Sequence, residues 1–292
     1  REQALERDPL RTCTVLATKA FGRSAQQWAV SVCLIALPGA VWAADCGAPR
    51  LGALVGAERS QWEEFDAQGK SLVREQGTLK VVGLQVAGQC RTLDWSAHWT
   101  LSRGERDYDG VTSTQAPFQT QSRVQAQHLA VQAWLPVHAG WSMGSQLGYR
   151  HAERDIAGQG NVLGYPERFG YWQAALGARY QAALGERVHL TASAWLGGGP
   201  GGRVKLDLPS ADPVTLNLGS SRMLALGVEL EGGEAATQPG WSWQAGMSFR
   251  REQTNAGTSK VLVRNGIPVG AALQPHFVQR HWGGTARVTY RF

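Results

Sequence analysis

The stretch "ERDYDG" sets two carboxylates, Asp107 and Asp109, two residues apart. Such a pair could hold a cation, while a charged run ending in Asp-Gly equally suits a solvated turn. "HAERD" (His151–Asp155) gathers a histidine and three charged neighbours, and reads as the point where a strand leaves a lumen for a loop. "GGGPGG" (Gly197–Gly202) invites comparison with a phosphate cradle. It lacks the Lys-Ser/Thr pair and the following helix that such a cradle needs, so it reads as flexible loop. No Ser-His-Asp arrangement is discernible by spacing, and neither a cofactor nor a metal is called for. Cys46 and Cys90 have no Cys or His at ligand spacing beside them. In an oxidising compartment they are expected to form a disulfide.

The elements that position these residues follow from the rest of the chain. Its 292 residues are 43% hydrophobic, with 36 glycines and 12 tryptophans. The net charge is +6. No dense Lys/Arg tract accompanies it, so nucleic-acid binding has no support. The first residues read as an export signal: scattered basic residues, the apolar run "WAVSVCLIAL", then "PGAVWA" with Val41 and Ala43 suited to cleavage. That run is too short to cross a bilayer as a helix. A signal peptide is expected over 1–43, its long preamble suggesting an over-extended start. It would carry off Cys13, Cys33, five basic and three acidic residues, leaving +4. Residues 44–50 would be a periplasmic segment and 51–292 the body of the protein.

In that body, apolar and polar residues alternate with period two. Leu93, Trp95, Ala97, Trp99 and Leu101 interleave with Asp94, Ser96, His98, Thr100 and Ser102. Leu224, Leu226, Val228 and Leu230 oppose Glu229 and Glu231. Trp241, Trp243, Ala245, Met247 and Phe249 oppose Ser242, Gln244, Ser248 and Arg250. At the end, Trp282, Gly284, Ala286, Val288, Tyr290 and Phe292 oppose His281, Thr285, Arg287, Thr289 and Arg291. Period two is the side-chain repeat of a strand, and about ten such segments can be placed. Short links ("AGQCR", "PVHAG", "LGER", "EAATQP") alternate with long polar stretches at 103–122, 150–168, 197–221 and 250–276. Short turns at one rim and long loops at the other point to an all-β fold, a ten-stranded antiparallel transmembrane β-barrel. The barrel must close, because an open edge in lipid leaves backbone groups unpaired. Trp141, Trp241, Trp243, Tyr290 and Phe292 suit an interfacial girdle beside the short turns.

Apolar side chains then face lipid and polar ones the lumen. The expected lumen set is Asp94, His98, His128, Arg150, Arg179, His189, Glu229, Glu231, Arg250, His281, Arg287 and Arg291. A barrel of about ten strands is close to the width that side chains can fill. Its charges must therefore pair across the lumen.

The final apolar alternation, with Val288, Tyr290 and Phe292, resembles the C-terminal signal of bacterial outer-membrane proteins. That resemblance implies recognition by the barrel-assembly machinery. Strand number, loop pattern and length resemble the omptin-like superfamily, which includes the omptin surface proteases; the Opc-type adhesin has a similar architecture. "LSRGERDYDG" (Leu101–Gly110) and "GYPERFGYWQAALGARY" (Gly164–Tyr180) carry the local likeness. In omptins an Asp-x-Asp in the second loop is catalytic, and Asp107 and Asp109 match it. Omptin chemistry also needs an Asp–His pair in the fourth loop. Here that loop contains Asp207 and Asp212 but no histidine; His151, His276 and His281 are the loop-side alternatives. The resemblance further implies lipopolysaccharide as lipid partner, with Arg103, Arg106 and Arg123 as outward-facing contacts. The function expected is a monomeric outer-membrane barrel whose loops bind a ligand or maintain the envelope. A divergent endopeptidase acting on peptides and a narrow channel stand as alternatives.

Overall fold

The computed structural model describes residues 46–112, 116–233 and 239–292. The expected leader, 1–43, lies outside the described residues, as do the first two positions of the 44–50 segment. The strands are β1 (Arg50–Phe65), β2 (Ser71–Cys90), β3 (Leu93–Val111), β4 (Pro117–His138), β5 (Trp141–Ile156), β6 (Tyr165–Ala183) and β7 (Val188–Gly199). They continue as β8 (Gly202–Leu206), β9 (Val214–Leu218), β10 (Ser221–Gly233), β11 (Gly240–Thr254), β12 (Ser259–Arg264), β13 (Ile267–Leu273) and β14 (His276–Arg291).

Pairing runs β5-β4-β3-β2-β1-β14-β11-β10-β7-β6, and β6 returns to β5. Leaving out β8 and β9, the ring among the described residues is a closed antiparallel barrel of ten strands. First and last strands meet in register from Arg50↔Arg291 to Phe65↔His276, so no edge is left open at the seam. Hairpin β8–β9 extends the sheet from the outer part of β6, and β12–β13 pair only with each other. The latter turns at Asn265 and Gly266, both at positive φ, as a tight hairpin requires.

The alternation has the expected sense. Leu84 (60% exposed), Leu176 (70%), Leu196 (68%) and Met247 (75%) lie on the outer wall. Ser96, Ser142, Gln173 and Thr289 are buried inside. Hydrocarbon outside and polar groups inside is the arrangement of a barrel that crosses a bilayer. Aromatic contacts frame the apolar band at the rim of short turns: Trp241–Tyr290 and Trp141–Tyr180, both at 4.9 Å. At that rim Cys46 and Cys90 are joined in a disulfide, and the Gly47 N–H donates to the Gln89 carbonyl at 2.9 Å.

The long polar stretches are mostly strand rather than loop. β3 runs on to Val111 and β4 begins at Pro117; β5 runs to Ile156 and β6 begins at Tyr165. Above the band the outward residues turn polar while the pleat continues, so the hydrophobic signal vanishes without the strand ending. On β1 the outward series Leu51, Ala53, Val55, Ala57 gives way to Arg59, Gln61 and Glu63. Arg59, Lys80, Arg103, Arg123, Arg222, Arg251 and Arg280 make a mainly cationic belt at this level, in which Arg280 meets Glu63 at 2.9 Å and Arg123 lies 3.8 Å from Glu105. Within it Lys80 stands opposite Arg103, and Arg251 opposite Arg280.

Candidate functional site

The lumen changes character from one end to the other. At the end remote from the short turns it is packed. Trp62 of β1 stacks on Phe277 of β14, ring centroids 4.3 Å apart, and Phe169 of β6 leans on both. Val204 and Leu206 from β8, with Leu216 and Leu218 from β9, complete this core. The β8–β9 hairpin alternates strictly, which turns four aliphatic side chains inward.

Charges buried among β1 to β6 close the rest of that end. Arg154 meets Glu64 at 2.9 Å, Glu167 at 2.9 Å and Glu75 at 3.6 Å, with its guanidinium 4.8 Å from the Trp62 ring. Arg106 reaches Glu75 at 3.4 Å and donates to Ser60 Oγ at 2.7 Å. Ser122 Oγ donates to Glu75 at 2.9 Å. Arg106 and Arg154 are each 4% exposed and Glu75 is 0% exposed. Such groups persist in a low-dielectric interior only when each charge faces an opposite one. One step toward the short turns, Arg150 and Arg250 share Glu252 at 3.7 and 3.1 Å. His281 Nδ1 stands 3.3 Å from Glu58 Oε1.

Below this layer the lumen opens into a chamber of about 600 Å³. Of the expected lumen residues, Asp94, His98, His128, Arg150, Arg179, Glu229, Glu231, Arg250, His281, Arg287 and Arg291 line it; His189 instead stands exposed near the rim. Arg179 donates to Asp94 at 2.7 Å and lies 4.8 Å from the Trp134 ring. Trp134 and Trp195 touch across the lumen at 4.4 Å. Each indole lies over a glycine: a Cβ on Gly144 would come within 2.4 Å of Trp134, and one on Gly177 within 2.5 Å of Trp195.

Asp107 and Asp109 are not in a loop and do not face the mouth. Both are exposed on the outer wall of β3, and the alternate residues Arg106 and Tyr108 are the ones buried inside. Opposite them stand Gln121 and Gln119 of β4, and Gln76 and Arg74 of β2. No histidine pairs with either aspartate among the described residues. His151 lies near Glu153 at 3.6 Å, His276 stacks on Phe65, and His281 is buried by Glu58. From the polar stretch 197–221, Asp207 meets Arg168 at 2.6 Å and Lys205 at 3.2 Å. Burial opposes its ionisation, but hydrogen bonds from Lys205 and Arg168 hold it below the ordinary carboxylate range. The Asp212 N–H donates to the Val263 carbonyl at 2.7 Å. Arg106, expected on the outside, points inward, because it shares the phase of Ser102 and Tyr108.

Sequence reasoning missed Glu58, Glu64, Glu75, Arg154, Glu167 and Glu252. All are inward residues, and all but Glu58 sit above the apolar band. Carrying the even phase of β1 past Leu54 would have found Glu58, Ser60, Trp62 and Glu64.

No family model and no curated protein matches this sequence. Among solved structures, the chain is similar to the outer membrane protease OmpT of Escherichia coli. Identity is 11%, with 84% of this chain and 97% of that chain covered at a TM-score of 0.47. It is also similar to the translocator domain of the autotransporter NalP from Neisseria meningitidis, at 12% identity, 92% and 97% coverage and a TM-score of 0.41. A third is Neisserial surface protein A, at 10% identity, 85% and 99% coverage and a TM-score of 0.37.

Proposed function

We propose that the chain is a bacterial outer-membrane barrel serving as a rigid scaffold that displays its upper strands and hairpins to a partner outside the cell. The observation that carries this is the filled outer lumen: Trp62, Phe169, Phe277 and the β8–β9 aliphatics on one side, the Arg154 and Arg106 networks on the other. A sealed lumen leaves the outer surface as the place for function, the usual use of elements held on a rigid scaffold. By the same reading the short turns face the periplasm. An omptin-type endopeptidase finds no support in the outward placement of Asp107 and Asp109, and the packed mouth speaks against a narrow channel.

The lipid partner in this reading is lipopolysaccharide, its phosphates neutralising the cationic belt. Lys80 and Arg103 face each other with no carboxylate on either, among the described residues, an arrangement that costs stability unless an anion intervenes. Arg106 drops out of the contact set. The outward series Val288, Tyr290 and Phe292 is the surface offered to the assembly machinery. A monomer is expected, since the ring closes without a second chain.

The test places the protein in the outer membrane of a Gram-negative host and replaces the β12–β13 hairpin, Ser259–Leu273, by a short Gly-Ser turn. Adhesion of these cells to eukaryotic cells or matrix is expected to fall to background while the barrel keeps its heat-modifiable mobility. Steady ion conductance in planar bilayers, or cleavage of basic peptides by the intact protein, would overturn the reading.

A further inference from the structure

The chamber contains a spot where two imidazoles and two guanidinium groups come together. His98 of β3 and His128 of β4 lie on one wall, ring centroids 5.6 Å apart. Arg250 and Arg287 line the same chamber. Arg287 donates to Gln244 Oε1 at 2.6 Å and meets no carboxylate among the described residues. Arg250 must share Glu252 with Arg150. Two of the chamber's acids are committed elsewhere. Asp94 pairs with Arg179 and Glu58 with His281. Glu229 and Glu231 line the β10 wall of the chamber, opposite Gly246 and Gln244.

Polar atoms remain unpaired at this spot. His128 Nε2, Arg250 Nε and Arg287 Nε are buried without a protein partner. Room is kept for the His128 ring by Gly148, where a Cβ would come within 2.8 Å of Nε2. Buried polar groups left unpaired are costly, so such a set points to a partner that the protein itself does not supply. At about 600 Å³ the chamber lies within the range of small-molecule sites. Arg50 and Arg291, opposite each other at the rim, set positive charge at the entrance, which favours entry of anions.

We propose that this chamber is a binding site for a small organic oxyanion, a di- or tricarboxylate or a phosphate monoester, entering from the turn rim and held between His98/His128 and Arg250/Arg287. This goes beyond display of the outer surface and does not depend on it.

The full protein, refolded in detergent, is titrated calorimetrically with citrate and, separately, with inorganic phosphate at constant ionic strength. Saturable one-to-one binding is expected for at least one of them, and the stronger of the two assigns carboxylate or phosphate chemistry. Arg287→Gln should weaken it at least tenfold. Because Arg287 balances no carboxylate, this variant leaves no orphaned acid, and unchanged heat-modifiability confirms its fold. His128→Gln provides a second variant from the opposite wall. Absence of saturable heat with both anions, or affinity unchanged in both variants, overturns the proposal.

Discussion

Arg106 and Asp107 are neighbours in sequence and lie on opposite faces of the barrel wall. The guanidinium is buried against Glu75 and Ser60, while the carboxylate is exposed outside, across from Gln121. This follows from the pleat, which reverses direction at each residue. It decides the meaning of "ERDYDG": the interior receives Arg106 and Tyr108, and the carboxylate pair that chemistry would want inside is turned away.

Asp107→Asn and Asp109→Asn are therefore expected to be silent, singly and together. Unfolding free energies from denaturant titration should change by no more than about 0.5 kcal/mol, as for other exposed sites. A peptide-cleavage assay should read zero for the parent and the variants alike. Cleavage by the parent that Asp107→Asn abolishes would contradict this placement.

Arg154→Met should behave very differently. It leaves Glu64, Glu75 and Glu167 facing one another in a dry interior with Arg106 alone to balance them. Removing one member of a buried ionic set typically costs about 3–5 kcal/mol. Urea unfolding in detergent micelles measures it. Adding Glu167→Gln to Arg154→Met should recover part of the loss, since it removes one of the stranded charges.

The belt gives a test that separates lipid contact from core structure. Arg103→Gln with Arg123→Gln should slow lipopolysaccharide-assisted refolding while leaving stability in detergent unchanged. Arg106→Gln should do the reverse, lowering stability regardless of lipid, because its side chain never reaches the outer surface. Equal effects from both variants would refute the division of these arginines between wall faces.

Much of the barrel was legible because, within the band, hydrophobicity and strand phase carry the same information. Leu224 to Leu230 and Trp282 to Phe292 disclose both the strand and its outer face. The same phase placed His98, Arg179 and Arg287 in the lumen. The outer third was not legible, for a physical reason. Beyond the bilayer Arg59, Glu105 and Asp107 can face water, and the interior can hold Glu64 or Arg154 if they pair. Both faces then read as polar, and a strand looks like a loop. Nor could spacing reveal that β8–β9 turns Val204, Leu206, Leu216 and Leu218 over the lumen, because that depends on pairing with β6.

The central claim is that, within the apolar band, the wall turns hydrocarbon outward and polar groups inward. Single cysteines at positions 224 through 231 of β10, each carrying a small fluorophore, test it directly in liposomes containing spin-labelled lipid. Cys46 and Cys90 do not compete for label, since they are bridged. The expected result is strong quenching at 224, 226, 228 and 230 and weak quenching at 225, 227, 229 and 231. Quenching at the odd positions instead, or no alternation at all, would contradict it.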